Sequence, residues 1–147
     1  MTYQHILVPV DGSQPALAAV QQAADLAKAC GSKVTAVCVL SVDPFIAVEF
    51  VDTQALVDDY RRQAKQEIQK TLDQAKALFT QQGVEVETRV IEGQEIYKEI
   101  INTAEEVHAD LIIMGSHGRK GLKKLFLGSV AQNVLAATPL PVMIVKQ

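Results

Sequence analysis

The chain predicts an α/β fold: an open five-stranded parallel sheet with helices on both faces. Three observations carry this. Apolar runs of strand length alternate with segments of helical period, in the order β-α-β-α-β-α-β-α-β. The runs at 6–10 and 110–114 are almost without polar interruption, as suits strands covered on both faces. Glycine or a capping residue stands where most of these segments begin or end. The 147 residues show no linker, composition break or internal repeat, so a single domain over 1–147 is expected. A chain of that size buries roughly 70% of its unfolded surface without staples.

The first run, 6–10, ends at Asp11-Gly12-Ser13. Ser13 is a suitable N-cap, with Pro15 in the first turn of the helix that follows. That helix reads Leu17, Val20, Ala24, Leu26 and Ala27, and Gly31 stops it. A strand rich in Val and Thr spans 33–40. Over 41–53 the pattern breaks. Val42, Pro44, Phe45, Ile46, Val48, Phe50 and Val51 are apolar without clean period. The segment reads as a loop packing its own side chains, with a flap over a site or a partner surface as alternatives.

A long helix over 54–82 carries one stripe of Leu56, Tyr60, Ala64, Ile68, Leu72, Ala75 and Phe79. A stripe with so many alanines suits covering a sheet better than a coiled coil. Gly83 ends it. Over 84–91, Val84, Val86, Thr88 and Val90 alternate with charged residues, which predicts an edge strand exposed on one face. Gly93 turns the chain into a helix of Ile96, Ile100, Ile101, Ala104 and Val107. The strand at 110–114 follows, then a glycine-bearing loop. A last helix shows Val130, Val134, Leu135 and Ala137, and a final strand covers 142–145.

Composition excludes several classes. Hydrophobic residues make up 48% and charged ones 21%, as in an ordinary globular domain. A formal net charge of −3 leaves no basic face for general nucleic-acid binding. Cys30 and Cys38 make neither a disulfide framework nor a zinc site, and both read as small buried hydrophobes. No charged leader with an apolar core opens the sequence, and no apolar run reaches a membrane span, so a cytoplasmic protein is expected.

The chemistry is concentrated after the fourth strand, in Gly115-x2-Gly118-x9-Gly128-Ser129. Glycines leave room for a phosphate to meet backbone N–H groups, and a helix start at Ser129 offers donors and partial positive charge. The alternative is a βα connection whose glycines serve tight turns. Four cations, Arg119, Lys120, Lys123 and Lys124, lie within this loop of an acidic chain. The GK[ST] ending of a Walker A loop is missing, since Val130 follows Gly128-Ser129. The first turn, Asp11-Gly12-Ser13-Gln14-Pro15-Ala16, also lacks the dinucleotide GxGxxG. A phospho-acceptor receiver is disfavoured because the third strand ends Val90-Ile91-Glu92-Gly93, without an aspartate.

This spacing resembles the signature of the ATP-binding branch of the universal stress protein (UspA-type) family. The opening His5-Ile6-Leu7-Val8-Pro9-Val10-Asp11-Gly12-Ser13 and the closing Thr138-Pro139-Leu140-Pro141-Val142-Met143-Ile144-Val145-Lys146 are similar to that family's first and last strands, so the likeness covers essentially the whole chain. The resemblance implies an adenine nucleotide alpha hydrolase-like fold with strand order 3-2-1-4-5. In such a sheet ligands bind outside the strands' carboxyl ends where the order reverses, between strands one and four. Asp11 and Gly115 then face each other across that crevice.

The resemblance further implies site roles. Pro9, Val10 and Val39 contact adenine, with Met114 and Gly115 lining the other side. Gly118, Arg119, Gly128, Ser129 and Val130 hold phosphates, and Ser13 lies nearby at the first turn. Asp11 accepts a ribose hydroxyl or helps hold a metal through water; alternatively it caps its own turn. Ser129 is alternatively a plain N-cap. His117 either contacts a phosphate or stands exposed without a role, and His5 and His108 look structural. The ligand would be ATP, or ADP or AMP, accompanied by Mg2+ or Mn2+.

The expected function is a dimeric stress-response and signalling module whose nucleotide state alters conformation or the choice of a regulatory partner. Its final strand, Val142 to Val145, would pair with a twin; the alternative is an open edge in a monomer. A slow ATPase or phosphotransferase is the enzymatic alternative, with no residue placed as a catalytic base. A nucleotide-free member of the same family is the third reading.

Overall fold

The computed structural model describes residues 2–41, 54–117 and 127–146. Its elements run β1 (His5–Pro9), α1 (Gln14–Cys30), β2 (Lys33–Ser41), α2 (Gln54–Gln81), β3 (Val86–Gly93), α3 (Ile96–Glu106), β4 (Leu111–Gly115), α4 (Ser129–Ala137) and β5 (Val142–Val145). The five strands form one sheet in the order β3-β2-β1-β4-β5. Every pairing is parallel. The irregular apolar segment 42–53 lies outside the described residues, as does most of the glycine loop.

Successive strand residues point to opposite faces, and the core divides accordingly. Ile6 and Val8 of β1 join Ile113, Ala19, Ala23, Leu72 and Phe79 on the face covered by α1 and α2. Leu7 joins Ile112, Ile100, Ala104, Ala131 and Val134 on the face covered by α3 and α4. The central strands are thus buried on both sides, which is why their sequences read as unbroken apolar runs.

The ends of α1 follow the capping residues. The Ser13 hydroxyl accepts from the Ala16 N–H at 3.2 Å, and Gly31 closes the helix at φ 67. A left-handed residue there costs glycine no Cβ clash. Five alanines (Ala16, Ala19, Ala23, Ala24 and Ala27) on its inner face let the helix lie close to the sheet.

Two predicted patterns change at an edge. The stripe of α2 buries Leu72, Ala75 and Phe79, whereas Leu56 and Tyr60 are 65% and 71% exposed. The alternation in β3 also reverses. Val84 and Val86 pack on the first face, but Val90 is exposed and Ile91 packs with Tyr97 on the second. The apolar side chains of this edge strand thus join the first cluster near its start and the second near its finish.

At the amino ends of the strands, Asp110 ties β1 to β4 by accepting from the Gln4 and His5 N–H groups at 2.8 and 3.0 Å. His5 meets the fully buried Thr35 hydroxyl through Nε2 at 2.7 Å. Cys38 is buried and Cys30 half-buried. Among the described residues, no helix is long and apolar enough to cross a membrane.

Candidate functional site

The order reverses between β1 and β4, whose outgoing connections lead to opposite faces: α1 on one, α4 on the other. Such a divergence leaves a crevice beyond the strands' carboxyl ends. Asp11, Gly12 and Ser13 form one wall. The Ser13 N–H donates to Asp11 Oδ1 at 2.9 Å, the Asx turn allowed for in the sequence, with Gly12 at φ 81. Asp11 Oδ2 takes no part in this turn bond.

The other wall begins at Gly115. A Cβ built on this glycine would stand 2.7 Å from the Pro15 carbonyl carbon and 2.9 Å from the Ala16 nitrogen. Gly115 is therefore required by the packing of the α1 N-terminus onto β4, whatever else it lines. Ser116 follows, 5% exposed and pinned by its backbone. Its N–H donates to the Val145 carbonyl at 3.0 Å, and its carbonyl accepts from the Gly128 N–H at 2.7 Å. The His117 carbonyl accepts from the Ser13 hydroxyl at 3.5 Å. Residues 116 and 117 thus bridge the starts of α1 and α4, two positive helix ends whose first N–H groups have no intrahelical acceptor.

His117 is half-buried and hydrogen-bonded within the site. Its Nδ1 lies 3.0 Å from the Ser116 hydroxyl, while its Nε2 is buried without a partner among the described residues. This differs from an exposed imidazole without contacts. A buried, unpaired ring nitrogen between two helix starts fits an approaching phosphate oxygen. Ser116 itself was not singled out in the sequence. The available signal was a small polar residue directly after a fully apolar strand.

The remaining positions spread along the crevice. Pro9 ends β1, and the Val10 N–H donates to the Val37 carbonyl at 2.8 Å. Val10 and Met114 are buried on opposite faces, and Val39 is half-buried beside Ile91. Gly128 is the N-cap of α4, so Ser129 is the first helical residue and not the cap. Glycine supplies no side-chain bond there, and the Ser129 side chain stands exposed. Val130 is half-buried in the second cluster. Gly118, Arg119, Lys120, Lys123 and Lys124 lie outside the described residues.

Among the described residues no three His, Cys, Asp or Glu side chains gather to hold a metal. A divalent ion would therefore rely on ligand phosphates together with a protein oxygen such as Asp11 Oδ2. A groove of about 370 Å³, lined by Ile101, Glu105, His108, Thr138 and Leu140 among others, lies at the opposite, amino end of the sheet.

Known proteins share this fold. A universal stress protein of Methanocaldococcus jannaschii is 35% identical over 145 residues, covering 99% of this chain and 83% of its own length. The structure of hypothetical protein MJ0577 superposes with a TM-score of 0.84 at 27% identity, over 100% of this chain and 98% of the other. An Archaeoglobus fulgidus universal stress protein in complex with dAMP superposes at 0.69 with 25% identity, over 99% and 100% of the two chains. Another universal stress protein, in complex with cAMP, superposes at 0.67 with 26% identity, over 99% and 98%. The pattern of the Universal stress protein family matches residues 2–146, from the strand before Asp11 to the strand that receives Ser116. By that match, and by the sheet order and crevice it accompanies, the chain belongs to the universal stress protein family.

Proposed function

We propose that this protein binds an adenine nucleotide, ATP in the first instance, in the crevice between β1 and β4. The observation that carries the proposal is the meeting of the α1 and α4 N-termini at Ser116–His117, with a buried imidazole nitrogen left unpaired there. Two similar structures hold dAMP and cAMP, which share adenine, a sugar and a phosphate. In this reading Pro9, Val10, Val39, Met114 and Gly115 flank the base. Asp11 Oδ2 meets a ribose hydroxyl or a water of the accompanying Mg2+ or Mn2+. Ser13, His117, Gly118, Arg119, Gly128, Ser129 and Val130 surround the phosphates. The metal would neutralise phosphate charge, while the chain orients the nucleotide and offers it N–H donors.

The nucleotide then serves stress signalling by favouring one conformation or one regulatory partner, in a homodimer formed through β5. Support for the pairing is the strand's open edge, where Met143 is 38% exposed and Leu135 of α4 is 44% exposed.

The test begins with nucleotide released from the denatured, purified protein, followed by calorimetric titration of ATP with magnesium. Light scattering on the same sample reads the mass. Binding that is lost in Gly118→Val with Gly128→Val, at twice the chain mass, is the expected result. No nucleotide and no binding heat in a folded protein would leave a nucleotide-free interaction module.

A further inference from the structure

Ser116 is buried, yet its hydroxyl has one partner among the described residues, Nδ1 of His117 at 3.0 Å. A hydroxyl is a donor as well as an acceptor, and a buried donor left unmade costs the full desolvation of the group. The direction that gives the Ser116 proton a partner among the described residues is Oγ–H donating into the Nδ1 lone pair. In a neutral imidazole the proton then resides on Nε2. That Nε2 is the buried nitrogen without a partner. It is a donor, and it requires an acceptor.

The surroundings specify the acceptor. The backbone of 116–117 is fixed on three sides, by Val145, Gly128 and Ser13. The ring therefore hangs from a rigid support at the starts of two helices, where negative charge is favoured. We infer that Ser116 is a positioning residue: its hydroxyl locks His117 as the Nε2–H tautomer, and that N–H donates to a phosphate oxygen of the bound nucleotide. This rests on the nucleotide reading above and adds to it the donor and the residue that sets it. Sequence spacing does not reveal such a unit, because adjacent residues rarely bond through their side chains.

The test has two readouts. In the nucleotide-free protein, 15N spectra of the His117 ring report which nitrogen carries the proton. An Nε2–H ring in the wild type, and a mixture of tautomers in Ser116→Ala, is the expected pair of results. A merely structural serine would not move that signature. Calorimetry with ATP and magnesium then compares variants whose fold is checked by circular dichroism. His117→Ala should bind about tenfold more weakly, the scale of one hydrogen bond to a charged group. His117→Gln, whose amide can place an N–H near the same point, should recover most of the loss. Ser116→Ala should fall between, and should add nothing in the His117→Ala background. Wild type that binds ATP while all variants bind it equally, or a ring protonated on Nδ1, would overturn the inference and leave the nucleotide site standing. Wild type that binds no ATP would remove both.

Discussion

A methyl group at position 115 would collide with backbone, not with a side chain that can turn aside. The Pro15 carbonyl carbon and the Ala16 nitrogen lie 2.7 and 2.9 Å from where it would stand, and α1 would have to lift from β4. At Gly93 the nearest atoms to the added carbon all belong to the flexible Glu99 side chain. Gly115→Ala should therefore lower stability by about 1–3 kcal/mol and Gly93→Ala by well under about 1 kcal/mol. Urea midpoints of the two variants measure the difference, and equal midpoints would show that α1 shifts freely. The same displacement would draw Ser13 away from His117, so fold and site share this contact. Spacing announced Gly115 as part of a phosphate loop. Its neighbours Pro15 and Ala16, from the other end of the chain, are what make a glycine necessary there.

The long helix α2 shows what periodicity can and cannot tell. Its apolar stripe was legible from Leu56 to Phe79, and the direction it faces was right. How far a partner surface extends beneath it is not written in the stripe. Twenty-eight residues of helix span about 42 Å, whereas the nine-residue strand β2 spans about 30 Å, so one end of the helix must overhang. Phe79, fully buried, should cost about 3–5 kcal/mol when cut to alanine, whereas Leu56→Ala at the overhang should be within about 0.5 kcal/mol. Denaturation of both variants checks this; a large loss at Leu56 would mean that something covers it in solution. The sheet order and the helix caps at Ser13 and Gly31 were readable for the opposite reason, because family likeness and local backbone chemistry fix them without knowledge of distance. The Ser116–His117 bond was not readable, since it depends on burial, which only the packed sheet creates.

At the scale of the whole molecule, two of the polar clusters among the described residues lie at opposite ends of one sheet. The carboxyl end carries the crevice, and the amino end carries His5, Thr35 and Asp110, which fasten β1 to its neighbours. This separation makes stability against acid readable apart from ligand binding. Burial depresses the His5 pKa below its ordinary 6.5, with Lys33 and Arg89 adding to the effect against the opposing pull of Glu87 and Asp110. The unfolded chain then takes up the proton more readily than the native one. Stability is unaffected well above 6.5, falls as the pH drops below it, and levels off beneath the folded value. Burial alone would raise the Asp110 pKa, but N–H donation from Gln4 and His5 outweighs it and holds the carboxyl below its ordinary 3.8. Its contribution is complete above that value and is lost only as the pH falls through the lower folded one. Acid should therefore weaken the fold in two separate stages. Urea midpoints from pH 8 to pH 5 isolate the first stage, in wild type and in His5→Gln, which cannot titrate at that position. The other two histidines are common to both chains and cancel in the comparison. The wild type should lose stability more steeply below about pH 6.5. Parallel slopes would mean that His5 is as easily protonated in the fold as out of it, and that the bond to Thr35 does not depend on a neutral ring.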